Sequence, residues 1–169
     1  LFAPSWNYNE DNLFNKQGYS IIEYLLNNKF KVIFRPHPEI IKRNKSNYEQ
    51  VLNKFMNNKN FTLDTNASNI YSMENASLLI TDNSSISIEY SFVFYRPVIF
   101  IDYKDKIHNK NYHLIDRSSF EDKFKKEIGL SISSKDIKRL NFICRETIDH
   151  YKINIDKIEI FKKKFLTNI

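Results

Sequence analysis

Short apolar segments alternate with helical patterns along residues 1–101, and this alternation limits the fold more than any other feature of the chain. The clearest unit is the apolar stretch from Ala76 to Ile80, which is typical of a buried strand. A polar cluster follows it, and an apolar-rich helical pattern then starts at Ser85. Chains that alternate strands and helices in this way form a parallel sheet with helices on both faces. The sequence therefore predicts an α/β domain with a Rossmann-like sheet.

The other strands and helices are predicted in the same way, from short apolar segments and from apolar residues at helical spacing. Strands are predicted at residues 1–3, 31–34, 61–63, 76–80 and 98–101, with a weaker edge strand at 112–115. Beyond the helix from Ser85, helices are predicted at residues 17–28, 46–57, 69–75, 120–128, 135–151 and 154–166. The predicted helix caps are Ser68, Ser84 or Ser85, and Ser134. The two prolines of Arg35-Pro36-His37-Pro38 predict a non-helical segment there.

Composition excludes several kinds of site. With two glycines in 169 residues, the chain has neither a Gly-rich dinucleotide loop nor a P-loop, so other groups must hold any bound phosphate. The net charge of +6 allows an anionic partner, but the lysines are scattered, so nucleic acid is not expected. The single cysteine, Cys144, is expected to be buried, and no apolar run is long enough to span a bilayer. His108 and His113 have no suitably spaced partner residues, so neither a metal nor another cofactor is expected.

Two polar clusters at predicted strand ends are candidates for a site. Arg35 and His37 lie in a loop after one strand, and a proline on each side of His37 reduces the entropy lost when its ring is fixed on a ligand. Asp82, Ser84 and Ser85 follow another strand, where a helix N-terminus offers N–H groups to an anion. Because the carboxyl ends of parallel strands share one edge of a sheet, a diphosphate can lie between the two clusters. Each cluster also has a simpler interpretation: an ordinary helix cap at the serines, and a turn in which Arg35 pairs with an acid while His37 faces water.

Neighbouring residues have equally open interpretations. Asp82, as an anion, is expected to orient a serine, an N–H group or an acceptor hydroxyl rather than to contact phosphate. Glu89 lies one turn after Ser85 and either accepts from a ribose hydroxyl or is solvated. Trp6 either stacks on a base or an acceptor, or packs in the core. The basic residues 162–164 form either a solvated helix face or a contact for anionic lipid headgroups.

Several segments together resemble one family. Ala3-Pro4-Ser5-Trp6, Phe34-Arg35-Pro36-His37-Pro38, Leu79-Ile80-Thr81-Asp82-Asn83-Ser84-Ser85 through Glu89-Tyr90, and Arg96-Pro97-Val98-Ile99 resemble the carboxyl-terminal half of the CDP-glycerol glycerophosphotransferases. These are the teichoic-acid and capsule polymerases with a GT-B fold. The resemblance runs in register from residue 1 to about residue 103. The same His-Pro and Ser-Ser pair occurs in bacterial CMP-sialic acid and Kdo transferases, so cytidine is better supported than glycerol.

The resemblance implies which residues meet the substrate. His37, Ser84 and Ser85 are implied to hold the donor pyrophosphate. The further substrate-binding candidates are Ser5, Trp6, Arg35, Thr81, Asp82, Asn83 and Glu89. The implied reaction moves glycerol phosphate, or a related polyol phosphate, from CDP-glycerol or another cytidine nucleotide donor to a glycan or polyol-phosphate acceptor. It would take place in the cytoplasm, with peripheral contact to the inner face of the membrane.

The resemblance also implies that the chain is one half of a larger enzyme. The family's other histidine, the base that acts on the acceptor hydroxyl, belongs to an amino-terminal half that the sequence does not contain. We therefore expect a single domain over residues 1–169 that has no catalytic residue of its own and is inactive alone. Residues 152–169 are expected to form a helix that crosses to the missing domain. The alternatives are a CMP-sugar glycosyltransferase domain and a non-catalytic flavodoxin-like binding module.

Overall fold

The computed structural model describes residues 1–7, 11–103, 111, 114 and 120–166, and the strands among these residues form one parallel sheet. The strands are β1 (Val32–Phe34), β2 (Phe61–Leu63), β3 (Leu79–Thr81), β4 (Val98–Asp102) and β5 (Leu130–Ser133). Strand β1 pairs with β2, β3 with β4, and β4 with β5. Phe2 joins the two groups, because it pairs in parallel with Phe34 on β1 and with Ile80 on β3.

The first residues of the chain therefore lie at the centre of the sheet. The Phe2 backbone N–H donates to the Ile33 carbonyl at 2.8 Å, and the Ala3 N–H donates to the Ile80 carbonyl at 3.0 Å. The spatial order is β2, β1, the Phe2 segment, β3, β4 and β5. This is the Rossmann order, in which the chain first extends the sheet on one side and then on the other. The order reverses between the Phe2 segment and β3, so a crevice at the carboxyl ends is expected there.

Helices cover both faces of this sheet. They are α1 (Tyr19–Asn27), α2 (Pro38–Arg43), α3 (Lys45–Phe55), α4 (Ile70–Glu74), α5 (Ile86–Phe94), α6 (Phe120–Glu127), α7 (Leu140–Asp149) and α8 (Lys152–Leu166). A π-helical turn, Phe14–Gly18, precedes α1, and a 3₁₀ helix, Ser134–Arg139, precedes α7. The prediction of a parallel sheet between two helical layers is confirmed.

The two layers follow from the alternation of side chains along each strand. On β4, Ile99 and Ile101 pack with residues of α1, α3 and α7. Val98 and Phe100 on the same strand pack with residues of α5, α6 and α8. Because both faces are covered, the central strands β3 and β4 are almost wholly buried, whereas the outer strands β2 and β5 carry the exposed residues Thr62, Ser131 and Ser133.

Gly129 lies where Phe100 approaches the backbone closely, and this contact yields a testable prediction. A Cβ atom at Gly129 would be 2.1 Å from Phe100 Cε2, and Phe100 is buried. We expect Gly129→Ala to lower the free energy of unfolding by about 1–3 kcal/mol, measured by urea denaturation. In a Phe100→Leu background, Gly129→Ala should lower the free energy of unfolding by less, because the ring atoms that the new Cβ would meet are absent. An equal loss in both backgrounds would contradict this explanation.

The last helix packs on the domain itself. Ile158 and Phe161 of α8 are buried against residues of α5 and α6. The exposed side chains of α8 include Lys157, Lys163 and Lys164. The crossing of residues 152–169 to another domain and the contact with lipid headgroups stay predictions. Among the helices that the structure describes, none has the length and apolar character needed to cross a bilayer.

Two elements were not predicted. The non-helical segment extends through His37, but α2 begins at Pro38, since proline is well suited to the first position of a helix. Strand β5 (Leu130–Ser133) was also missed, because two of its four residues are serines and only Ile132 is buried, so it lacks the apolar run that marks the other strands. The edge strand predicted at 112–115 lies outside the described residues apart from Leu114.

The predicted caps need correction, whereas the prediction for the cysteine is confirmed. Ser133, not Ser134, begins the 3₁₀ helix, and its hydroxyl accepts from the Lys135 N–H at 3.2 Å. Cys144 is buried, and burial raises the pKa of its thiol to about 12. It therefore acts as a small apolar side chain.

Candidate functional site

At the carboxyl edge of the sheet, where the strand order predicts a crevice, a set of hydrogen bonds joins the first segment to the end of β3. Asp82 Oδ1 accepts from the Ser5 backbone N–H at 2.8 Å, and Asp82 Oδ2 accepts from the Ser5 hydroxyl at 2.6 Å. The Thr81 hydroxyl donates to the Ala3 carbonyl at 2.7 Å. Ser5, Thr81 and Asp82 are all buried. Asp82 thus orients a serine, Ser5, and these three side chains shape the crevice from below.

His37 stands at the carboxyl end of β1 as the N-cap of α2. Its backbone is extended, with φ −59° and ψ 141°, which is the geometry that a following proline favours. Its Nδ1 atom accepts from the Glu39 backbone N–H at 3.2 Å. Because a neutral imidazole with an accepting Nδ1 carries its hydrogen on Nε2, this hydrogen bond assigns the Nε2–H tautomer. The exposed His37 ring therefore has a donor on the edge opposite its cap.

Trp6 lies beside His37 at the rim of the crevice. The two rings are stacked, with centroids 6.4 Å apart and an interplanar angle of 20°. The Arg43 guanidinium carbon lies 5.5 Å from the centroid of the Trp6 ring. Arg43 Nε also donates to Glu39 Oε2 at 2.7 Å, and hydrogen bonds from Arg43 and Lys42 lower the pKa of the Glu39 carboxyl. Trp6 is partly buried and packs against the core, as one of the two interpretations predicted, while its stacking on a base or an acceptor stays a prediction.

Ser84 and Ser85 lie at the start of α5, after β3. Ser85 occupies the N-cap position, as predicted, but its side chain makes no capping hydrogen bond. Ser87 instead bonds to the Ser84 carbonyl, through its N–H at 3.1 Å and its hydroxyl at 2.7 Å. Ser85 is exposed, and Ser84 and Asn83 are half-buried. The Ser85 side chain is therefore exposed at the start of α5 rather than bonded as its cap.

Arg35 is directed to a neighbouring loop. Its Nη1 lies 2.8 Å from Asp64 Oδ2, and its Nη2 donates to the Asn66 carbonyl at 2.9 Å. Asp64 is 2% exposed and also accepts from the Ser72 hydroxyl and from the Asn66 N–H. The structure therefore has the turn in which Arg35 pairs with an acid, and this ion pair ties the end of β1 to the end of β2.

Glu89 also has a partner within the fold. Its Oε2 accepts from Asn69 Nδ2 at 2.8 Å, which joins α5 to the residues before α4. The carboxylate is exposed. Its interpretation as a ribose acceptor stays a prediction.

His37 and the serines of α5 are brought to one side of the molecule by the sheet. Strands β1 and β3 are the two neighbours of the Phe2 segment, so their carboxyl ends lie two strand spacings apart, about 10 Å. Trp6 and Ser5 follow the segment between them. The arrangement offers a histidine N–H, serine hydroxyls and a helix N-terminus at one crevice, a set that is suited to an anion.

Several residues that lie at the carboxyl edge of the sheet were not singled out from the sequence. Glu39 and Arg43 belong to a helix that the prolines concealed, although their spacing of four is a usual signal for a helical ion pair. The Tyr103 hydroxyl donates to Asp11 Oδ1 at 2.6 Å, and burial together with Asp11 raises the pKa of Tyr103 to about 12. This contact fixes the loop after Trp6 to the end of β4. Its partners are 92 residues apart, so no local pattern could reveal it.

No metal centre is found within the part of the chain that the structure describes, since no three histidine, cysteine, aspartate or glutamate side chains come together there. His108 and His113 lie outside that part.

A family model and several solved structures match the chain. The model described as CDP-glycerol:poly(glycerophosphate) glycerophosphotransferase matches residues 1–166. None of the curated proteins compared with the chain matches it. A histidine variant of the wall teichoic acid polymerase TagF is similar with a TM-score of 0.59 and 16% identity, over 97% of this chain and 38% of that one. The TagF variant soaked with CDPG gives a TM-score of 0.56 and 16% identity, over 98% of this chain and 36% of that one.

At this level of identity the likeness to TagF concerns the fold. It confirms the prediction of a Rossmann-like domain that forms part of a GT-B fold. The chain spans less than two fifths of the length of these TagF chains.

Proposed function

This chain belongs to the CDP-glycerol:poly(glycerophosphate) glycerophosphotransferase family, and from that premise we propose that it is the donor-nucleotide-binding domain of a glycerophosphotransferase. The donor is CDP-glycerol or a related CDP-polyol, and the acceptor is a glycan or polyol-phosphate chain of the teichoic-acid or capsule type. The chain is one domain of a longer two-domain enzyme, in keeping with its share of the TagF length.

The observation that carries this proposal is the position of His37 and of the Ser84–Ser85 helix end on either side of the switch point. They follow β1 and β3, whose carboxyl ends are about 10 Å apart. A diphosphate with a hydrogen bond of about 3 Å at each end fills a gap of that size. One phosphate would meet the His37 Nε2–H. The other would meet the serine hydroxyls and the first amides of α5.

These groups are suited to stabilising a leaving group. In the proposed reaction an acceptor hydroxyl attacks the β-phosphorus in line, the bond from that phosphorus to the bridging oxygen breaks, and CMP leaves with the extra negative charge. Donors already fixed near that charge lower the barrier without further reorganisation. The base that takes the acceptor proton is proposed to come from outside this chain.

Calorimetric titration with CDP-glycerol, CDP, CMP and UDP tests the proposal. We expect the chain to bind the cytidine nucleotides and to bind UDP more weakly. A non-catalytic flavodoxin-like module would bind none of them, and that result would reject the proposal. Assaying the full-length enzyme for CMP release from CDP-glycerol and from CMP-sialic acid separates the phosphotransferase from a CMP-sugar transferase.

Substitutions in the crevice give the sharper prediction. His37→Ala and Ser84→Ala should each weaken CDP binding by about 1–3 kcal/mol, because each removes a donor to a charged oxygen. His150→Ala is the matched control for the histidine, since His150 is exposed at the end of α7, and Ser46→Ala in α3 is the control for the serine. If the site variants bind CDP as tightly as the controls do, His37 and Ser84 do not belong to the site.

A further inference from the structure

Two adjacent cations of α2 share the partner Glu39, and one of them also contacts Trp6. Lys42 Nζ lies 3.1 Å from Glu39 Oε1, and Arg43 Nε lies 2.7 Å from Glu39 Oε2. Both side chains are largely exposed, at 69% and 61%. Of the two, it is Arg43 whose guanidinium lies over the Trp6 ring. A salt bridge at such an exposed position contributes little to stability, so the position of Arg43 needs another explanation.

Arg43 completes a closed ring of contacts around His37. Trp6 stacks on His37, the His37 Nδ1 accepts from the Glu39 N–H, the Glu39 carboxylate accepts from Arg43, and Arg43 returns to the face of Trp6. Turning Trp6 would break its contacts with both His37 and Arg43, and turning His37 would break its contacts with Trp6 and with the Glu39 backbone N–H. The ring thus restrains the imidazole plane from its stacked face and from its Nδ1 edge together.

We propose that Arg43 is a positioning residue, which holds Trp6 against His37 and thereby keeps the imidazole in the Nε2–H tautomer that donates to a phosphate of the bound nucleotide. The ligand in this statement rests on the proposed function. The effect of Arg43 on the His37 tautomer concerns the chain without ligand, so it does not depend on the proposed function.

The test compares Arg43→Gln with Lys42→Gln. Both variants remove one positive charge and one partner of Glu39. A difference between them that disappears in a Trp6→Leu background reports the contact between Arg43 and Trp6. Nitrogen-15 NMR of the histidine rings reads the tautomer, with His37→Ala identifying the His37 signals. Trp6 is the only tryptophan in the chain, so its fluorescence reports the indole environment directly.

We expect wild type and Lys42→Gln to show the Nε2–H tautomer and the same tryptophan emission. Arg43→Gln should show a mixture of tautomers and a changed emission, and should raise the CDP dissociation constant about fivefold, against less than about twofold for Lys42→Gln. In a Trp6→Leu background, Arg43→Gln should raise the CDP dissociation constant by less than about twofold, because the two side chains act together.

Three outcomes separate the possibilities. An unchanged His37 tautomer in Arg43→Gln overturns the proposal. Weaker CDP binding with an unchanged tautomer also overturns it, since Arg43 would then contact the nucleotide directly. If wild type binds no cytidine nucleotide, the proposed function fails, while the tautomer comparison still decides whether Arg43 positions His37.

Discussion

Replacing Asp64 by alanine is expected to destabilise the protein by about 3–5 kcal/mol, because it leaves the Arg35 charge without its partner. Asp64 is 2% exposed and the Arg35 side chain is 16% exposed, so this ion pair is more strongly desolvated than one at the surface. The Ser72 hydroxyl and the Asn66 N–H lose their acceptor in the same variant. Urea denaturation at pH 7 measures the loss. Since Arg35 begins the loop that carries His37, CDP binding should weaken as well.

Glu49→Ala is the matched control for this variant. Glu49 pairs with Lys45 at 3.7 Å, but both side chains are more than half exposed, so the expected loss is below about 0.5 kcal/mol. If Asp64→Ala costs no more than Glu49→Ala, the buried ion pair does not hold β1 to β2.

The pH dependence of the Asp64 effect has a defined sign. Burial by itself raises the pKa of Asp64, but hydrogen bonds from Ser72, Asn66 and Arg35 together with the Arg35 charge outweigh it and lower the pKa below its ordinary value of 3.8. A carboxyl whose pKa is lowered on folding contributes stability that is present above that ordinary value and is lost as the pH falls through the folded-state pKa. The difference in stability between wild type and Asp64→Ala should therefore narrow below about pH 4. A difference that widens on acidification would contradict this.

Phe161→Ala is expected to lower the free energy of unfolding by about 3–5 kcal/mol, the usual cost of deleting a fully buried ring. Phe161 is 1% exposed, and its ring centroid lies 5.5 Å from that of Phe120 and 5.7 Å from that of Phe124. These contacts fix α8 on α6, and Phe92 extends the cluster to α5 at 6.2 Å. Urea denaturation monitored by circular dichroism is the measurement.

The adjacent residue supplies the control. Ile160 is 66% exposed on the same helix, so Ile160→Ala should change stability by less than about 0.5 kcal/mol. A loss for Phe161→Ala as small as that for Ile160→Ala would show that α8 does not pack on the domain in solution.

Most of the fold was predictable because it depends on local periodicity. The apolar stretch that ends at Ile80 and the continuous apolar run of β4 indicate buried strands, and the helical pattern between them indicates a parallel sheet. The errors lie where local signals conflict or are short. Pro38 suggested an irregular segment, although proline also starts helices. In Leu130–Ser133 the serines resemble a loop and only Ile132 is buried.

The candidate site was predictable only in part. The sequence alone determined that His37 and the pair Ser84 and Ser85 follow strands of one parallel sheet, because strand order along the chain fixes which loops meet at its carboxyl edge. Only the tertiary structure decided the partners of these residues. Asp82 is bound to Ser5, Arg35 to Asp64, and His37 lies between Trp6 and the first turn of α2. The physical reason is that periodicity depends on near neighbours, whereas a hydrogen bond between residues 77 positions apart depends on how the strands are ordered across the sheet.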